Sequence, residues 1–412
     1  MSKVKIEGHG TGTGTFTVTT PSSNTDRTIT LPDSTGTILD NTSTLDATKL
    51  SGNLPAISAA SLTNVPKDTT VGGKKNMIIN GAMQIDQRAT SKTGVTSSGY
   101  HTLDRWNLDN SGLGTFTMSR SADAPSGFYS SLKMDCTTAY GSAGGDDFNA
   151  IHQDLESYDG VSLGYGTSDA KSLTVSFWVK CSQTGTLQFN LVHYASSTRQ
   201  ISATYTINTA NTWEKKTITF AGDTSQASDN DNSKGLVFEW FLASGTGRTS
   251  GGSPQTSWGA YALNKRNAGS TISIGDSTSD TWQITGVQAE IGSTATDFEH
   301  RSFGEELALC QRYFQILQDN AGYFAGNAVG SNRIDTGIPL AVPLRATPSF
   351  AANGYITHRS GNANSSTNQA TVGSYNANST TLKIRFGGHS VTDEVAYVIS
   401  IASEDLLIDS EL

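Results

Sequence analysis

The groups in this 412-residue chain that could do chemistry are acidic pairs, scattered histidines and aromatic rings set among hydroxyl and amide side chains. Asp146-Asp147, Asp154 with Glu156, and Asp159 could supply the two carboxyl groups, about 5–9.5 Å apart, that a glycosidase uses as acid and base or nucleophile. A solvated acidic loop accounts for the same residues. Asp229, Asp231 and Ser233 alternate in SDNDNSKG and offer oxygen ligands at calcium spacing. The sixth loop position is not Gly and the twelfth is not Glu, so the EF-hand pattern fails. His101 near Trp106, His152 beside Asp154 and His193 next to Tyr194 have no spaced partner in the sequence, and each reads as a surface or hydrogen-bonded imidazole. No Gly-x-Ser-x-Gly, His-Glu-x-x-His or Gly-x-x-x-x-Gly-Lys-Ser/Thr motif is present, and the early GHGTGTG lacks the spacing that cradles a pyrophosphate.

Aromatic residues are the stronger candidates, because sugar C–H faces pack on exposed rings while sugar hydroxyls pair with nearby Asn, Asp and Gln. Trp178, Trp213, Trp240 and Trp282 lie within or beside periodic strands and are expected in the core. Trp258 and Tyr261 fall in the Gly/Ser-rich SWGAYALNKRN stretch and are expected to be exposed, as glycan contacts. Towards the C-terminus Tyr323, Phe324, Tyr355, His358, Arg359, Tyr375 and His389 sit among Gly and Asn, in loops suited either to surface recognition or to packing between copies.

The elements that must position these groups are strands. Leu173, Val175, Phe177 and Val179 alternate with Thr174, Ser176, Trp178 and Lys180; Leu187, Phe189 and Leu191 repeat the pattern, as do Leu236, Phe238, Trp240 and Leu242. Each run is expected to bury one face. Gly/Ser/Asn/Asp loops separate them, and residues 74–302 describe a β-sandwich of the jelly-roll kind. One helix is signalled by a Ser302/Glu305 capping box followed by Leu307, Cys310, Phe314 and Leu317 at 3, 4, 3 spacing. It is expected to connect the sandwich to a C-terminal β-domain over 303–320, with residues 321–412 returning to strand alternation.

The N-terminal part differs. Over residues 1–45, Phe16 and Val18 and then Ile29 and Leu31 punctuate short Thr-rich strands, too poor in large apolar side chains to fold alone. Residues 46–73 place Leu50, Leu54, Ile57, Leu62 and Val65 at intervals too loose for a heptad repeat. Self-association of three copies around one axis would bury both segments as a narrow stalk; a partly disordered tail is the alternative.

Composition narrows the class. Ser and Thr make up about a quarter of the chain, well above ordinary usage, and 35% of residues are hydrophobic against 16% charged. The 42 Gly have no every-third-residue register and Pro numbers only 9, so collagen and Pro-rich disorder are excluded. A net charge of −9 argues against a phosphate-backbone binder and makes nucleic acid an unsuitable partner. Cys136, Cys181 and Cys310 are far apart and form no Cys-x-x-Cys, which points to buried thiols in a protein made in a reducing cytoplasm. The first residues lack the apolar core of a signal peptide, and no run reaches the ~18 apolar residues of a membrane span.

A resemblance adds what composition does not supply. GTGTFTVTTPSSNTDRTITLPDSTGTILD resembles a repeat of phage tail-fibre and virion appendage proteins, and LDATKLSGNLPAISAASLTNV is similar to their stalk segment, especially in marine and cyanobacterial phages. NMIINGAMQIDQRA, TLDRW and WQITGVQAEIGSTATDFEHRSFGEELALCQRYFQ resemble the signatures of a jelly-roll domain of such fibres, and IPLAVPLRATPSF resembles a fibre-tip domain. These motifs cover most of the chain in the order found in that family. The resemblance implies a homotrimeric receptor-binding fibre of the virion, mainly β, with Phe16, Val18, Ile29 and Leu31 in the segment that anchors it to tail or adaptor proteins. It implies non-enzymatic attachment to a host cell-surface polysaccharide such as lipopolysaccharide, with no cofactor beyond a structural Ca²⁺ of the kind jelly-roll carbohydrate modules often carry. A structural adaptor or head-decoration fibre, or a glycan-degrading tailspike, would carry similar motifs.

Overall fold

The computed structural model describes residues 75–317 and, further on, 323–328, 333–352, 355–360, 363–367, 370–374, 381–387, 396–402 and 406–412. The described residues all fall in one compact unit, Pro66–Leu412. The expectations for segments 1–45 and 46–73, with Phe16, Val18, Ile29 and Leu31, lie outside the described residues.

Alternating apolar and polar residues fold residues 91–291 into strands β1 (Ser91–Val95), β2 (Asn107–Ser111), β3 (Thr115–Ser121), β4 (Ser131–Thr138), β5 (Phe148–Glu156), β6 (Leu173–Cys181), β7 (Gly185–His193), β8 (Arg199–Ile207), β9 (Glu214–Phe220), β10 (Lys234–Ser244), β11 (Gly259–Ala260) and β12 (Thr281–Ile291). A short helix, α1 (Ser157–Gly160), follows β5. The strands form two six-stranded sheets, ordered β1-β3-β4-β12-β6-β9 and β11-β8-β7-β10-β5-β2. Within them β4-β12-β6-β9 and β5-β10-β7-β8 interleave: counted along the chain, those eight strands run 1-8-3-6 in one sheet and 2-7-4-5 in the other. That is the wrapped hairpin of a jelly-roll β-sandwich.

The core lies between the sheets. Trp240 is fully buried, with its ring 5.6 Å from Trp106, 4.6 Å from Phe189 and 5.6 Å from Phe177. Trp282 is buried as expected, but Trp178 and Trp213 are not core residues. Trp178 falls on the outward positions of β6, opposite Phe177 and Val179, and Trp213 donates its indole N–H to Asp123 Oδ1 at 3.0 Å. A second correction concerns β7 and β10, which are buried on both faces rather than one. Beyond β10 the loop 246–270 lies across the sheet, where Gln188 and Asn190 donate to the carbonyls of Lys265 and Arg266.

The capping box is present: Ser302 Oγ accepts from the Glu305 N–H while the Glu305 carboxylate accepts from the Ser302 N–H at 3.0 Å, starting α2 (Phe303–Gln311). The helix does not continue to residue 320. Phe314 and Leu317, although helically spaced, belong to β13 (Phe314–Leu317). The remaining strands are β14 (Tyr323–Ala328), β15 (Arg333–Pro339), β16 (Ser349–Ala352), β17 (Tyr355–Ser360), β18 (Ala363–Thr367), β19 (Ala370–Ser374), β20 (Thr381–Gly387), β21 (Ala396–Ala402) and β22 (Leu406–Asp409). β13 pairs with β22, which also pairs with β16, and this long-range ladder overrides the local helical pattern. The other strands form a seven-stranded sheet, β18-β17-β21-β14-β15-β20-β19. The end of the chain is tied to the sandwich, with Glu411 paired to Arg105 and, at 3.2 Å, to Arg88. No helix among the described residues is long and apolar enough to cross a membrane.

Candidate functional site

The alternation on β10 that turns Phe238 and Trp240 into the core turns Glu239 to the outer face of the second sheet. Register then sets a polar row across that face. Glu239 stands opposite Asn190 on β7 and His152 on β5, Asn190 stands opposite Ser202 on β8, and His152 opposite Asn107 on β2. Directly opposed side chains on one face of a sheet are neighbours, so the row is contiguous.

Hydrogen bonds run along it. Gln200 Nε2 donates to Ser202 Oγ at 3.0 Å, Ser202 Oγ to Asn190 Oδ1 at 2.7 Å, and Asn190 Nδ2 to Glu239 Oε2 at 2.9 Å. Arg266, from the covering loop, closes on both Glu239 oxygens, its Nε lying 3.3 Å from Oε2. Burial works against the charge of Arg266, and Glu239 more than offsets it, so the guanidinium pKa stands above its ordinary value. Its plane lies 5.0 Å from the ring of Phe241, 5.2 Å from Phe148 and 5.5 Å from Tyr261, a cation–π setting that a bare ammonium would fill less well.

The other half of the row is less complete. Asp154 pairs with Lys234 at 2.6 Å and with His152 Nδ1 at 3.4 Å, while His152 Nε2 is buried with no hydrogen-bond partner. Lys234 Nζ lies 5.6 Å from the half-buried ring of Tyr194. Burial raises the phenol pKa values of Tyr194 and Tyr261 above the ordinary tyrosine value. Ser202, Asn190, Glu239, His152 and Asp154 are all buried, with each carboxylate matched to a cation, so the part-exposed groups of this strip of the face are Asn107, Lys234 and the rings of Tyr194 and Tyr261. Those part-exposed groups can hydrogen-bond a polyol.

Of the residues singled out in the sequence, Tyr261 belongs to this strip, half-buried rather than exposed. Trp258 is also half-buried: its indole N–H donates to the Ala221 carbonyl at 2.7 Å, and its ring packs edge-on against Tyr165 at 5.8 Å and His193 at 6.2 Å. Phe324 is half-buried on β14, its backbone opposite Ile399. Tyr323, Tyr355, His358 and Arg359 take their places on β14 and β17, but their side chains lie outside the described residues, as do Tyr375 and His389 altogether.

The acidic candidates are dispersed. Asp146 is exposed, 3.5 Å from Arg248; Asp147 accepts the Gly144 N–H at 2.7 Å; Glu156 is buried against Arg312 and Tyr313. Asp154 and Glu156 are thus ion-paired and buried rather than solvated. Asp231 is turned onto the Ser233 N–H at 2.9 Å, and no group of three or more acids, His or Cys among the described residues could hold a metal ion. His193, read as a surface or hydrogen-bonded imidazole, is a buried hydrogen-bonded one, held between Asp223 at 3.3 Å and Ser228 at 3.1 Å, with Arg199 on the same carboxylate at 2.8 Å, an arrangement that fastens the loop after β9.

Glu239, Asn190, Ser202, His152 and Tyr194 were not singled out as site residues. Glu239 carries a signal in the sequence, a lone carboxylate inside the apolar run Leu236–Leu242, which demands a buried partner.

No family model matches the chain, and no curated protein does. Solved structures with a similar fold include the enzymatically active domain of tailspike protein 4 from bacteriophage CBA120, at 12% identity and a TM-score of 0.29 over 52% of this chain and 21% of that one. A family 11 carbohydrate-binding module of a Clostridium thermocellum cellulosomal cellulase matches at 11% identity and a TM-score of 0.25, over 50% of this chain and 99% of that one. A family 30 carbohydrate-binding module matches at 10% identity and a TM-score of 0.24, over 55% of this chain and 97% of that one. The chain thus spans about a fifth of the tailspike structure, and likeness at this level carries no argument about what it binds.

Proposed function

We propose that this chain is a phage tail-fibre protein of the virion that attaches to the host by binding a cell-surface glycan such as lipopolysaccharide, without cleaving it. The observation that carries the glycan reading is the part-exposed rings of Tyr194 and Tyr261 with Lys234, beside the buried polar row Ser202, Asn190, Glu239 and His152. Ring faces take sugar C–H surfaces while Lys234 and the tyrosine hydroxyls take sugar hydroxyls, the usual division of labour in small polar-ligand sites. The carboxylates Glu239 and Asp154 are buried and each held by a cation, which disfavours their protonating a glycosidic oxygen. The ordered tail-fibre motifs support the virion assignment, with residues 1–45 joined to tail or adaptor proteins. Three copies on one stalk would convert weak single-site contacts into avid attachment.

The test is binding of the full chain to a panel of purified lipopolysaccharides that includes those of marine cyanobacteria, with released reducing ends measured in parallel. Saturable binding without release is expected. Release of sugar would replace the adhesin with a depolymerase, and absence of binding throughout the panel would favour a structural adaptor.

A further inference from the structure

A second surface lies at the β1/β3 edge of the first sheet, beside the start of α2. There a groove of about 500 Å³ is lined by Gln84, Thr90, Arg120, Ser121, Tyr129 and Phe303, among others. Tyr129 is 87% exposed and Phe303 61%, the two largest exposures among the large hydrophobic side chains described. Water-exposed rings facing one groove lose apolar hydration only when something covers them.

The frame holding Tyr129 is fixed on both sides. Phe128 packs 5.0 Å from Phe298 and 5.4 Å from His300, over Gly286, where a Cβ would lie 2.6 Å from the Phe128 ring. Ser130 Oγ donates to the Met83 carbonyl at 2.5 Å, and Ser131 Oγ to the Asp123 carbonyl at 2.7 Å. Asp123 is itself held by Lys180 at 2.7 Å and by Trp213. Arg120 is fixed in turn, Nη1 donating to the Gln84 carbonyl at 2.9 Å and to Asp86 Oδ1 at 3.0 Å. An exposed ring on so constrained a loop costs little entropy to bind with.

We propose that this groove is a second saccharide site, distinct from the strip on the other sheet, which holds a neutral pyranose against Tyr129 and Phe303 and hydrogen-bonds its hydroxyls through Arg120, Gln84 and Thr90. The neutral class follows from charge: Asp86 already matches Arg120, so the groove has no uncompensated cation to select an acidic sugar. The inference rests on the reading of the chain as a glycan binder, and its failure is separable from that of the first site.

The experiment is calorimetric titration of the full chain with glucose, galactose and mannose tetrasaccharides and with a galacturonate tetrasaccharide. Tyr129→Ala and Phe303→Ala are each expected to weaken one neutral-sugar binding step about tenfold, a loss typical of an aromatic contact. Both side chains are exposed, so thermal unfolding and solution mass should be unchanged. Tyr194→Ala should leave that step intact. If only Tyr194→Ala weakens binding, the groove proposal fails and the first site stands; if only the groove variants do, the first site fails. Preference for the galacturonate, absence of any neutral-sugar step, or a fall in solution mass of the groove variants would each overturn the proposal, the last by making the groove a contact between copies.

Discussion

Arg312, the residue just past α2, grips Glu156 at the end of β5 with both arms, Nε to Oε1 at 2.6 Å and Nη2 to Oε2 at 2.7 Å, while the Tyr313 hydroxyl donates to Oε1 at 2.6 Å. The helix is thereby bolted to the sandwich. Glu156 is almost fully buried while Arg312 keeps about a third of its side chain in water, so Arg312→Ala is expected to destabilise by about 2 kcal/mol, below the range for a fully buried pair. Urea unfolding of the single variants and of Glu156→Gln/Arg312→Met should show the double variant losing less than the sum.

Gly286 has φ +60 and lies under the Phe128 ring. Gly286→Ala combines left-handed backbone strain with a steric clash and should cost about 2–4 kcal/mol. Thermal unfolding measures the cost, and the same variant should weaken neutral-sugar binding by displacing the loop that carries Tyr129.

Burial lowers the imidazole pKa of His193 from its ordinary 6.5, against the opposing pull of Asp223. The unfolded imidazole takes up a proton as pH falls through 6.5 and the folded one resists, so its contribution to stability is full above that pH and is lost below it. Comparing unfolding free energies at pH 8 and pH 5, the protein should lose more stability on acidification than its His193→Gln variant does.

Cys136, Cys181 and Cys310 are all buried as free thiols, and burial raises their pKa values, that of Cys181 to about 11. Thiolate is the reactive form, so a disulfide reagent at pH 8 should label none of them in the native protein and all three after denaturation.

Local signals in the sequence were legible where the partner is close in the chain. The Ser302/Glu305 capping box spans three residues and forms as read. Phe314 and Leu317 were misread because their helical spacing competes with a ladder to Leu406–Asp409, some ninety positions away, which no local pattern reports. The alternation on β6, β7 and β10 located the core. The outward row did not stand out, because Asn190, Glu239 and His152 become neighbours only through the register of β7, β10 and β5. Trp258 looked exposed for its Gly/Ser surroundings, yet β11 pairs with β8 and turns its indole onto Tyr165 and His193.

On the proposed function, the outer face of the second sheet holds a glycan. Electrophoresis of the full chain through gels containing host lipopolysaccharide, beside a Tyr194→Ala/Tyr261→Ala variant with unchanged thermal unfolding, tests it most directly. Retardation of the parent protein, with a dissociation constant at least tenfold weaker in the variant, is the predicted result. Equal retardation of both proteins would rule out this face as the glycan site.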